Sequence, residues 1–158
     1  MKLKDIRRQG RELALQYFYA FEQNHYEDTG RLIPSEDLEA VHADGRTFAL
    51  ELFAGFQANR VPIDAAVDKR LANWTIGRLA LTDRQILRLG TYEILYCEDT
   101  PPKVSISEAV ELAKTYGTED KTASLVNGVL DRIAREHRTT GMDAQVKESP
   151  TAPVPAKA

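Results

Sequence analysis

Apolar residues recur along this chain at helical spacing, and no alternating run of strand length interrupts them. Leu3, Ile6, Gly10, Leu13, Ala14, Tyr17, Ala20 and Phe21 share one face at roughly 100° per residue, which predicts a helix from about Leu3 to Asn24. The stretch "TGRLIPSED" breaks that pattern, with Pro34 and Ser35 marking the next helix start. Asp44 or Gly45 separates a short helix from a longer one that holds Phe48, Leu52, Phe53 and Phe56. Pro62 opens a further segment, in which Ile63, Ala66, Val67, Arg70 and Leu71 fall at helical spacing.

The later start signals are sharper. Thr82 to Gln85 reads as a capping box ahead of Ile86, Leu87, Leu89, Gly90, Ile94 and Leu95. Pro101-Pro102 forces an extended break, because each proline fixes its own φ and restricts the residue before it. Ser105 to Glu108 reads as a second capping box, opening a helix with Ala109, Val110, Leu112, Ala113 and Tyr116. Gly117 stands where a left-handed C-terminal residue is wanted. A last helix is predicted from about Asp120 to His137. The fold class is therefore all-α, with about seven helices. The expected division is a helical domain over 1–138 and a disordered tail over 139–158, where little can be buried and Pro150, Pro153 and Pro155 recur.

One dipeptide resists this reading. Asn127-Gly128 between apolar neighbours is the strongest short-range hairpin signal. Yet Leu125, Val126, Val129, Leu130, Ile133 and Ala134 form a helical stripe that runs unbroken across it, and no partner strand follows. Helix is the better reading, at a cost of ~1 kcal/mol for the glycine relative to alanine. The offset is close backbone approach, with packing against a neighbouring helix favoured over approach by a ligand. For Asn127, capping of a loop's backbone groups and contact with a ligand stand level.

Composition narrows the class. Among 158 residues the formal net charge is −3, so no global basicity announces a nucleic acid, and any such site must be local. A single cysteine, Cys97, builds no disulfide framework and reads as core, as do Phe53 and Trp74. With no apolar run of bilayer length and no signal-peptide core at the N-terminus, a cytoplasmic protein without a membrane partner is expected. His25, His42 and His137 lack metal-ligand spacing, and no phosphate-binding glycine loop or nucleophile elbow is present. Glu108 and Glu111 fit a cap and a solvated face better than an acid–base pair. Neither catalysis, metal nor cofactor is expected.

The sharpest local charge lies on the first helix. With Arg7 as origin, Lys4, Arg8 and Arg11 fall at roughly 60°, 100° and 40°, so the four cations fit one arc. Guanidinium forks on such an arc suit phosphates, although a lone basic stripe is more often a solvated face. Leu15, Phe18 and Tyr19 continue the arc, which leaves the helix apolar almost all round and so buried, by this chain or by a partner.

The segments "RRQGRELALQYFYAFE", "LTDRQILRLGTYEIL" and "TPPKVSISEAVELAKTYGTEDKTASLVNGVLDRI", in that order, resemble the NusB family of transcription antitermination factors. The similarity covers roughly Asp5 to His137. It implies two three-helix subdomains, and binding to the boxA element of nascent ribosomal RNA leader transcripts together with the small-subunit ribosomal protein NusE. Within an RNA polymerase antitermination complex, that pair promotes read-through. The resemblance assigns RNA contact to Lys4, Arg7, Arg8 and Arg11 and to the start of the last helix at Asp120 and Lys121. It assigns NusE contact to Phe18, Tyr19 and Glu93. Leu125 stands where the family often has phenylalanine directly before V-N-G-V-L-D. Leucine cannot stack on an unpaired base, so part of the ~1–3 kcal/mol that such stacking gives should be missing. Ser105 and Ser107 replace a common alanine and asparagine, with no consequence expected. The competing reading is a protein-interaction module, a homodimer that buries Phe18 and Tyr19 and has little RNA affinity of its own.

Overall fold

The computed structural model describes residues 1–72 and 75–147. Its elements are α1 (Leu3–Gln23), α2 (Ser35–Glu39), α3 (Ala43–Asp68), a single 3-10 turn (Ile76–Arg78), α4 (Leu81–Tyr96), α5 (Pro102–Tyr116) and α6 (Thr122–Lys147). The all-α expectation holds, with no strand among the described residues. The chain divides into two compact units, Met1–Ala54 and Gly55–Ala158.

In the first unit, α1 turns its apolar face onto the opening turns of α3. Leu13, Ala14, Tyr17, Phe18 and Phe21 are buried with Phe48, Ala49, Leu52 and Phe53. Phe53 is the hub: Tyr17 stacks on it at 5.1 Å and Phe21 meets it edge-on at 5.2 Å. Such aromatic pairs add to plain area burial. Burial, and after it the negative charge of Asp28, pushes the Tyr17 phenol above its ordinary pKa. The two helices approach closely where both carry glycine. A Cβ on Gly10 would stand 2.9 Å from the Gly45 carbonyl oxygen and 2.9 Å from the Phe48 ring. Asp44 and Gly45 therefore lie inside the first turn of α3 and do not separate two helices, since Gly45 is needed for the crossing.

The predicted break at Pro62 is also displaced. The proline sits inside α3, and the non-helical residue is Asn59, at φ −127°, ψ 21°. Pro62 has no N–H to give the preceding turn, and its ring crowds that turn's carbonyl. The helix kinks instead of ending, and the Asn59 amide donates to the Gly55 carbonyl oxygen at 2.8 Å.

The second unit is built on α4, α5 and α6, which pack pairwise. Ile86, Leu87, Leu89, Leu112, Val126, Val129, Leu130 and Ile133 form its interior. Arg88 is 3% exposed and is held by Asp64 in a forked pair, Nε to Oδ1 at 2.9 Å and Nη2 to Oδ2 at 2.8 Å. Two parallel bonds in a fixed geometry orient a buried arginine as one bond would not. Arg70 and Glu136 form an ion pair, and Arg132 donates to the Arg70 carbonyl oxygen at 2.7 Å, which ties the turn after α3 to α6.

Both predicted capping boxes are superseded. α4 begins at Leu81 with Ala80 in the extended capping position, so Thr82 lies in the first turn and Gln85 is fully buried. α5 begins at Pro102, whose fixed φ is already helical, one turn before Ser105. Gly117 is extended at φ −64°, ψ 151°, not left-handed. A Cβ there would strike the Ala113 carbonyl oxygen and Thr122, so space and not φ demands the glycine. α6 runs to Lys147, past the expected end at His137, with no proline before Pro150 to stop it. The rest of the expected disordered tail, 148–158, and Trp74, expected as core, lie outside the described residues.

Candidate nucleic-acid interface

The basic arc of α1 is divided by burial. Lys4 and Arg7 are exposed, Arg8 is half-buried, and Arg11 is 5% exposed. Arg7 lays its guanidinium 4.2 Å above the Phe48 ring, and Arg11 stands 5.3 Å from the same ring. A guanidinium stacked on a ring keeps its edge N–H groups available while losing rotamer freedom in advance. Lys4, Arg7 and Arg8 therefore keep cationic surface open to solvent. Arg11 is a correction, because a cation buried to that degree belongs to the fold around Phe48.

The aromatic continuation of the arc splits the same way. Phe18 is 0% exposed and 6.3 Å from Phe53, and Leu15 is buried too, so neither offers a surface to a partner. Tyr19 is 40% exposed and is the one side chain of this stretch that can meet a second protein. Glu93 is likewise corrected. It is 2% exposed, and its Oε1 accepts a hydrogen bond from Ser105 Oγ at 3.2 Å. Ser105 thus serves as the partner of a buried carboxylate and not as the expected helix cap.

In the second unit the connection from α5 to α6 is clasped by Asp83. One carboxylate oxygen accepts from the Thr118 N–H at 3.1 Å, and the other accepts from Thr118 Oγ1 at 2.7 Å and Thr122 Oγ1 at 3.3 Å. Thr122 Oγ1 in turn accepts from the Glu119 N–H at 3.2 Å. The clasp fixes the backbone that carries Asp120 and Lys121, both exposed. Leu125 follows one turn later, 36% exposed. Asn127 is exposed and Gly128 half-buried on the same helix. A Cβ on Gly128 would meet only Arg132 Nη2, at 3.9 Å, so the favoured packing explanation for this glycine is overturned.

Sequence reasoning missed Phe48 and Asp83. Phe48 reads as one more core aromatic at helical spacing, with nothing to mark it as the platform under two arginines. Asp83 was hidden inside an apparent capping box. No group of three or more potential metal ligands occurs among the described residues, and no described helix is long and apolar enough to cross a membrane.

The described residues define an all-helical protein with a braced cationic helix end. Comparison with known proteins names that class more closely. The NusB family model matches residues 8–135. A transcription antitermination protein NusB from Geobacter sulfurreducens is 44% identical over 129 residues, which cover 81% of this chain and 93% of the relative. The solved structure of T. maritima NusB shares the fold with a TM-score of 0.74 and 36% identity, over 83% of this chain and 92% of that one. A crystal structure of antitermination factors NusB and NusE in complex with dsRNA contains a chain matched with a TM-score of 0.74 and 27% identity, over 84% of this chain and 98% of that one. The chain belongs to the NusB family.

Proposed function

We propose that this protein is a transcription antitermination factor that binds the boxA element of nascent ribosomal RNA leader transcripts as a complex with NusE, promoting read-through by RNA polymerase. The observation that carries this reading is the fold shared over most of its length with a chain from the complex of NusB and NusE with dsRNA. Lys4, Arg7 and Arg8 take phosphates, with Arg7 pre-oriented by the Phe48 ring. Asp120, Lys121 and Leu125 form the second RNA-facing segment. Tyr19 contacts NusE. The protein acts by binding alone in the cytoplasm, with no catalytic step and no cofactor. A net charge of −3 leaves RNA affinity to local cations and to the surface NusE adds.

The test is a boxA RNA titration with and without NusE, using a Lys4→Ala/Arg7→Ala/Arg8→Ala variant beside the parent. The variant should keep its helicity and lose most RNA affinity, and its log–log salt slope should flatten by ~0.7 for each phosphate contact removed. Parent-like affinity and slope would sink the role given to α1. A parent that binds RNA in neither condition would leave the homodimeric interaction module, which sedimentation with and without NusE would then reveal.

A further inference from the structure

The first turn of α3 is capped by a histidine. His42 directly precedes the helix, and its carbonyl oxygen accepts from the Arg46 N–H at 2.9 Å, the first bond of the helical ladder. Its ring nitrogen Nδ1 accepts from the Asp44 N–H at 3.0 Å. A side-chain oxygen of serine, asparagine or aspartate ordinarily takes the N–H at that place in a helix. Imidazole can replace such an oxygen only while neutral, with its proton on Nε2 and the Nδ1 lone pair free. A proton on Nδ1 removes the acceptor and sets two N–H groups against each other. It also adds a cation at the positive end of the helix dipole.

His42 reaches α1 as well, within the first unit. Its backbone N–H donates to Gln9 Oε1 at 2.9 Å. Gln9 stands between Arg8 and Gly10, and the same seam continues along both helices. A Cβ on Gly45 would stand 3.2 Å from the Ile6 carbonyl oxygen, and Arg7 lies over the Phe48 ring. The groups that brace the cationic end of α1 thus belong to the first two turns of α3, which His42 caps. No neighbouring charge duplicates the cap. Arg46 gives Nη1 to the Leu38 and Val41 carbonyl oxygens, at 3.0 and 3.1 Å. Asp44 on α3, Glu39 on α2, and Asp5 and Glu12 on either side of Gln9 on α1 are carboxylates, which attract a proton to the ring without replacing it as acceptor. Arg8, beside Gln9, is the remaining cation and opposes that proton.

We propose that His42 is a positioning residue for the RNA-binding end of α1: its neutral ring caps α3, and protonation of the ring releases the turns that hold Arg7 in place, so RNA binding weakens as pH falls. The inference rests on the RNA-binding reading of α1 above and deepens it by adding a pH-sensitive control.

The experiment titrates boxA RNA into the full chain with NusE, at constant salt, from about pH 8 to about pH 5.5, the range in which imidazole takes up a proton. Parent affinity should fall about fivefold across it, the equivalent of one helix cap. His42→Asn keeps an acceptor that does not titrate, so it should bind as the parent does at the upper pH and hold that affinity throughout. His42→Ala lacks the acceptor at every pH and should be flat at the weaker level. A parent with flat affinity would overturn the inference. So would a His42→Asn protein that keeps the parent's pH dependence, because the titrating group would then be another one, such as His25 or His137. The Lys4/Arg7/Arg8 variant run at the upper pH separates the two levels. Loss of RNA there beside a flat parent profile ends only this inference, whereas parent-like RNA binding there ends the reading of α1 on which it rests.

Discussion

Gly10 in α1 and Gly128 in α6 both sit within helices that bury one face, yet their surroundings are opposite. At Gly10 the carbonyl of Gly45 and the ring of Phe48 lie where a side chain would go, so the glycine sets how near α1 and α3 come in the first unit. At Gly128 the corresponding volume is open apart from Arg132. A glycine inside a helix therefore marks close approach, but the approaching group can be part of the fold or come from outside it. The same contrast runs along the polar residues of the two helices. Arg11 has been taken inside against Phe48, while Lys121 and Asn127 remain outside.

The contrast can be broken hardest at the start of α6. Its exposed face keeps its place because Asp83 holds the preceding residues through three hydrogen bonds. Asp83→Ala leaves the Thr118 and Thr122 donors without their charged acceptor. Bonds to charged groups contribute about 1.5–3 kcal/mol each and are not additive within one network, so a loss of about 3 kcal/mol is expected. Urea unfolding should show it as a lower midpoint at an unchanged slope. A loss under about 0.5 kcal/mol, the range of an ordinary surface substitution, would mean that α6 is positioned by its apolar face alone.

Gly10→Ala is next in size and tests the first half of the contrast. Overpacking a tight crossing costs about 1–3 kcal/mol, because backbone and a buried ring must move together. The same measurement reads it. A neutral result would show that Phe48 can shift at little cost, and Arg7, stacked on that ring, would then lose its bracing as well.

How far these features are legible in the sequence follows from what sets each of them. The all-α class and the buried faces of α1, α4, α5 and α6 were readable because apolar spacing reports burial directly. Helix starts were misread at Thr82 and Ser105, because a Ser/Thr-x-x-Glu/Gln string fits the first turn of a helix as well as its cap, and Ala80 and Pro101 took the capping positions. The resemblance gave Glu93 and Phe18 to a partner and Arg11 to RNA, and periodicity could not correct it, because it gives a residue's direction on its own helix but not what other segments bring over it. Asp83 and Thr118 are separated by most of α4 and all of α5, and no local pattern encodes a bond between residues so far apart in the chain.

The smallest expected effect is the most discriminating, because its sign is reversed. If nothing inside the fold needs the bare backbone at 128, Gly128→Ala removes a helix penalty and adds a methyl group that meets only Arg132 Nη2, at ordinary contact distance. Stability should then rise by up to about 1 kcal/mol, the difference between glycine and alanine in a helix interior. Thermal unfolding of the parent, Gly128→Ala and Gly10→Ala proteins side by side should place Tm in the order Gly128→Ala, parent, Gly10→Ala. The identical chemical change, one added methyl, must act in opposite directions at the two sites. If both variants fall below the parent, α6 has a hidden neighbour at this position, and the glycine belongs to the fold in the same sense as Gly10.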